Sequence, residues 1–254
     1  MEFRPLSDVR FGRRVLLAAP ALAIPGLAHA QDAGFVTKLD DTVAAGLRRD
    51  VLIRWGDRVD FDAPPFAPAN PTVEAAQAQF GWDGRIVAMV PLPGVADGVP
   101  RAVVVVAHPT VDTAMAFPGQ VSSVDVALAM QGASLLNLAR QGTRWIVVDG
   151  GFQTRRLHGR TLCRVTGPGR ASLGDGVQGV IGPRGGCATP WGTVLLAENV
   201  GNWLPLMRGV RAEGFGWIVE INPLDPQSVP AKQVWPFFFL HFCPLHAYPA
   251  PVSH

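Results

Sequence analysis

Cys187, Thr189 and Glu198 bracket the stretch of this 254-residue chain whose side chains and backbone together suit a chemical site. Thiolate sulfur and carboxylate oxygen are both metal ligands once deprotonated. Gly185, Gly186 and Gly192 lie among them and open backbone angles closed to other residues, while Pro190 fixes one dihedral. Residues 184–199 therefore read as a glycine-rich turn that enters a buried apolar strand and ends in an acid. Two readings fit the residues alone, a ligand site and a merely structural turn. For Cys187 the alternatives are a metal ligand, a buried free thiol, or a disulfide with Cys163; for Glu198 they are a metal ligand or a solvated strand end.

Other chemistry-bearing patterns fail on inspection. Residues 174–179 match G-x-G-x-x-G, but Val-Ile-Gly-Pro-Arg-Gly-Gly follows, which cannot build the helix whose N-terminus would hold a phosphate. There is no G-x-S-x-G elbow, H-E-x-x-H pair or P-loop. Asp225, between Pro223 and Pro226, reads as a turn former. Charge excludes another class. The 22 basic and 20 acidic residues of the whole chain, less four arginines and two acids in residues 1–30, leave 18 of each. A neutral chain lacks the positive excess that binds phosphate backbones, so no nucleic-acid partner is expected.

The elements that must position these residues are short. With 28 glycines and 23 prolines against 48% hydrophobic content, the chain is globular and loop-rich, and not a helical bundle. Residues 1–30 read as an export signal: Arg13-Arg14, an apolar run from Val15 to Leu27, then Ala28-His29-Ala30 as a small-x-small cleavage site. The run is shorter than the ~20 residues a membrane span needs, and Pro20 and Pro25 interrupt it, so no stable span is expected after signal removal. Helical spacing of Val36, Leu39, Val43 and Leu47 predicts a short helix within 31–49. Four prolines make 62–71 a loop, and Thr72 is placed to cap a helix running to Gln79. Beyond Phe80 the period becomes that of strands. They are expected over 85–90, 102–107, 122–130, 133–138, 144–148, 155–158, 162–165, 194–197 and 217–221, with Gln141-Gly142 as a hairpin turn. Residues 124–140 also admit one helix, against which Gly132 argues. Many short strands between turns mean a sandwich, a barrel or a propeller. After Lys232 there is no Asp, Glu, Lys or Arg and the run Phe237-Phe238-Phe239 is bluntly apolar, so 233–254 reads as an atypical tail, either a frameshifted or truncated end or a last strand packing into the core.

Five segments, in order, carry a resemblance to the PhoX family of alkaline phosphatases. They are 47–57 ending Trp55-Gly56-Asp57, Phe80-Gly81-Trp82-Asp83, Gln153-Thr154-Arg155-Arg156-Leu157, the block Gly185-Gly186 with Thr189-Pro190-Trp191-Gly192-Thr193, and 216–223. The resemblance implies a mainly β fold, an incomplete β-propeller with short N-terminal helices, over residues 31–232. It implies hydrolysis of small phosphate monoesters by a cluster of iron and calcium ions, with Glu198 and Cys187 as metal ligands and Arg155 and Arg156 as phosphate clamps. For the arginines the alternative is an ordinary ion pair. Arg13-Arg14 similarly implies twin-arginine export to the periplasm or beyond. Departures are specific. The strand ends Glu198-Asn199 where the family has two glutamates, Cys187 follows the glycine pair instead of preceding it, and Ala107-His108-Pro109 lacks the family's carboxylate, which makes His108 a structural histidine. The competing expectation is a non-catalytic remnant or binding module of the same family, with self-association through unclosed sheet edges.

Overall fold

A computed structural model describes residues 43–94, 97–119, 121–201 and 212–235. The export signal, most of the helix expected over 31–49 and the tail beyond Trp235 lie outside the described residues. Two units are distinguished, 1–49 and 50–254. Of the first, residues 43–49 hold a turn in which the Leu47 N–H donates to the Ala44 carbonyl. All that follows concerns the second.

The longest apolar runs build the first sheet. Strand β1 (Arg85–Pro91) pairs antiparallel with β2 (Arg101–His108), which pairs with β3 (Gly132–Gln141). The ten-residue β3 then serves two partners: β4 (Arg144–Val147) across the Gln141-Gly142 hairpin, and β5 (Arg155–Leu157) at its other end. Seven of the eight β2 residues are buried, as the four consecutive valines require of a strand covered on both faces.

The second sheet runs β7-β6-β11-β10-β9-β8. Its strands are β6 (Leu162–Thr166), β7 (Gly176–Gln178), β8 (Pro183–Ala188), β9 (Val194–Glu198), β10 (Ile218–Ile221) and β11 (Ala231–Gln233). The β6–β11 pair is parallel and every other pair antiparallel. Val103, Val105 and Leu135 of the first sheet share one core with Val165, Leu196, Val219 and Ile221 of the second. Among the described residues neither sheet closes on itself.

Among the described residues four short α-helices complete the fold, α1 (Val73–Ala78), α2 (Thr113–Ala116), α3 (Val124–Met130) and α4 (Arg170–Leu173). Thr72 caps α1 as expected, its hydroxyl accepting from the Ala75 N–H. Within residues 122–130, expected as a strand, Val124–Met130 instead form α3. Ser123 caps it, Asp125 sits in its first turn, and Val126, Ala127, Ala129 and Met130 are buried, a helical grouping that alternation would not produce. The glycine pair corrects another expectation. Gly185 and Gly186 are extended residues of β8, and of the three glycines only Gly192 has positive φ, at +88°. Gly186 is needed because a Cβ there would lie 2.0 Å from the Leu195 carbonyl oxygen.

Gly132 marks the switch from α3 into β3. Its φ is +105°, and a Cβ would sit 2.0 Å from the Leu157 carbonyl oxygen of the paired strand. Both the backbone and the space exclude a side chain. Gly132→Ala is expected to lower the unfolding free energy by roughly 2–4 kcal/mol in urea titration, whereas Gly142→Ala, with open space around it, loses about 1 kcal/mol.

Candidate functional site

The Thr189-Pro190-Trp191-Gly192-Thr193 block is the hairpin joining β8 to β9. The Thr189 N–H donates to the Thr193 carbonyl at 2.8 Å, and the Thr193 N–H returns a bond to Thr189 Oγ1 at 3.0 Å. The two hydroxyls lie 2.9 Å apart. What fixes this turn is Glu220, from the neighbouring β10. Its Oε1 accepts from Trp191 Nε1 at 2.9 Å and from the Thr193 hydroxyl at 2.7 Å, and its Oε2 accepts from Gln233 Nε2 at 2.7 Å. The Trp191 ring is thereby held by its edge, although 69% exposed. The bonds from Trp191 and Thr193, then Gln233 and the charge of Arg164, hold the Glu220 carboxyl below its ordinary value against the opposing effect of partial burial.

Glu198 sits at the far end of β9 and faces the core. Both carboxylate oxygens lie 3.0 Å from Lys232 Nζ, on β11. Oε1 also accepts from the Ile181 N–H, and Oε2 from the N–H groups of Gly216 and Trp217, at 3.0–3.2 Å. Cys187 is elsewhere. It pairs with Leu195, which in turn pairs with Glu220. Directly opposed strand residues share a face, and positions 195 and 198 differ by three, so Cys187 and Glu198 occupy opposite faces roughly 10 Å apart along the strand. The expectation that the two converge on one pocket is corrected here. Cys187 is an exposed free thiol. Cys163 is a buried free thiol pushed up to about 12 by burial, so the two do not form a disulfide.

Arg155 and Arg156, adjacent on β5, project to opposite faces. The Arg155 guanidinium donates to the carbonyls of Asn222, Pro226 and Ser228 and to the Ser228 hydroxyl, pinning the 222–228 loop that Asp225 turns. Arg156 is buried. Its Nη atoms donate to the carbonyls of Ala129, Gln131 and Ala133 at 3.0 Å, tying the end of α3 to β3. Burial lowers its pKa to about 10, and burial likewise lifts Asp60, which accepts from the Arg156 N–H, to about 6. His108, as expected, is internal: Nδ1 meets the Asp83 carbonyl at 2.7 Å and Nε2 meets the Ser134 hydroxyl at 2.8 Å. Burial, with Arg156 nearby, drives its pKa well below the usual range, so the ring is neutral.

The four candidate ligands and clamps thus go to four separate places. Among the described residues no three His, Cys, Asp or Glu side chains group to hold a metal ion. Neither Glu220 nor Lys232 stands out by motif. Glu220 lies inside one of the five matching segments, and Lys232 is one of only two lysines in the chain, which is the sole sequence signal for it.

Comparison with known proteins bears on this geometry. The family model described as alkaline phosphatase PhoX matches residues 33–241. Among solved structures the chain is similar to Pseudomonas fluorescens PhoX in complex with vanadate, a transition state analogue, at 27% identity and a TM-score of 0.62. The match covers 72% of this chain but 40% of that one, so the chain spans about two fifths of that protein's length. No curated protein matches. The open sheets described above are accordingly an incomplete β-propeller of this type.

Because Glu220 is more acidic in the fold than its ordinary value near 4.5, its bonds stabilise the protein above that value and are lost as pH falls through the lower one. Glu220→Gln is expected to melt below the wild type at neutral pH, with the gap narrowing under about pH 4.5. Melting curves across pH check this; a gap unchanged in acid would assign the loss to packing alone.

Proposed function

Since this chain belongs to the alkaline phosphatase PhoX family, we propose that it serves phosphate monoester hydrolysis, with the described residues forming the scaffold around the Trp191 turn. The observation that carries this reading is the turn itself. Two segments distant in sequence, 189–193 and 216–223, meet through Glu220, and both lie within the matched family region. The structural neighbour holds vanadate, a transition state analogue. Substrates of the class would be small phosphate esters. Export through the Arg13-Arg14 signal belongs to the same reading, with residues 31–232 as the propeller part and 233–254 as a separate tail. Among the described residues no helix is long and apolar enough to cross a membrane.

Calcium and iron would supply positive charge toward a phosphoryl group in a family enzyme. The donors described in this chain do not fit such a cluster. Glu198 already accepts from five N–H donors' worth of partners, Cys187 lies on the other face, and the guanidinium donors of Arg155 and Arg156 are directed at backbone carbonyls. This arrangement favours, as a second reading, a family scaffold without turnover. Among the described residues β7 and β8 stand at the sheet's edges, which suits self-association in either case.

Hydrolysis of p-nitrophenyl phosphate by the purified chain at alkaline pH, with calcium and iron supplied and then removed by chelator, separates the two. Turnover reduced at least about tenfold by chelation supports the enzyme. Absence of turnover at every pH and metal condition, in a chain whose melting is cooperative, leaves the scaffold reading.

A further inference from the structure

The strongest unassigned feature is the buried contact between Glu198 and Lys232. Both side chains have no exposed surface. An ammonium has three N–H donors, and this one finds three acceptors: Glu198 Oε1 and Oε2 at 3.0 Å each and the Gly214 carbonyl at 2.8 Å. Its remaining side lies over the Phe215 ring, 4.4 Å from the centroid. The acceptor side is equally closed. Carboxylate oxygens offer about four lone-pair sites, and five N–H contacts converge on them, two from the ammonium and one each from Ile181, Gly216 and Trp217.

The choice of lysine carries weight. The chain has 22 basic residues and only two lysines, Lys38 and Lys232. A guanidinium would bring five donors in a fixed fork to three acceptors, whereas an ammonium with three rotatable donors matches them one for one. A divalent ion at Glu198 would have to displace the ammonium or sit beside it in a low-dielectric interior, where like charges repel strongly.

We propose that Lys232 is a built-in cation for Glu198: it occupies the carboxylate in place of any metal, so that this part of the chain ties its strands together without one. The pair joins the end of β9, the 181 turn, the 214–217 segment and β11 through a single point. The inference rests on the geometry of these residues and stands whether or not the chain is a phosphatase.

The test uses the full chain in two ways. Amine acetylation followed by peptide mapping reads Lys232 directly, because the chain has only two lysines. Lys232 is expected to label at least about tenfold more slowly in the native chain than in denaturant, with the same protection in calcium, iron or chelator. Metal that exposes Lys232 to the reagent, or native labelling as fast as in denaturant, would overturn the proposal. Separately, Glu198→Gln and Lys232→Met are each expected to lower the melting temperature by roughly 10 °C, and the double variant to lie closer to the wild type than the sum of the two. Additive losses would sink the idea, as would a calcium-induced shift present in wild type and absent from a folded Glu198→Gln. Should a single variant not fold, the labelling result on the native chain still decides.

Discussion

The second sheet depends on one buried charge pair. Glu198 and Lys232 come from β9 and β11, which flank β10 without touching each other in the ladder. A carboxylate and an ammonium without solvent are each costly, and only mutual contact with full hydrogen bonding makes the site tolerable. That requirement reaches outward. It holds the Ile181 amide in place beside the β7–β8 connection and the Gly216 and Trp217 amides at the entry to β10. The Trp217 indole then donates to the Glu213 carbonyl, closing the short 3-10 turn Ala212–Gly214 that supplies the third acceptor of the lysine.

The second constraint is close approach of backbones where the two sheets meet. Gly186 leaves the room in which a Cβ would meet both the Leu195 carbonyl oxygen of β9 and the Val87 side chain of β1. Gly132 does the same between β3 and β5, and Arg156 then binds three of the carbonyls freed where α3 ends and β3 begins. An arginine in that place acts as a buried hydrogen-bond donor where the backbone changes from helix to strand. Arg155 does comparable work at the surface for the 222–228 loop, whose two prolines contribute no N–H.

Much of the fold was legible beforehand because strand burial and turn chemistry are local. The valine run of β2, the Gln141-Gly142 hairpin and the Thr72 cap each follow from residues next to one another. Strand β8 was not legible, since Pro-Arg-Gly-Gly-Cys-Ala has neither β-branched residues nor alternation; it is a strand because β9 and the sheet beside it leave room only for extended glycine. Residues 124–130 failed for the opposite reason, in that Val-Asp-Val-Ala-Leu-Ala-Met satisfies both periods and the Ser123 cap with packing around Ala127 decides for helix. The candidate site was legible as a segment and not as a constellation. Thr189–Thr193 and Glu198 are near in sequence, yet strand alternation and register send them to opposite faces and ends of one hairpin.

By itself the amino-acid sequence determined the β class and the family, because composition and short motifs need no partner in space. Only the tertiary structure decided what Glu198, Glu220, Arg155 and Arg156 do. A polar side chain takes its role from the donor or acceptor that meets it, and here the partners described lie between 13 and 73 positions away along the chain, across a strand register that no local pattern encodes.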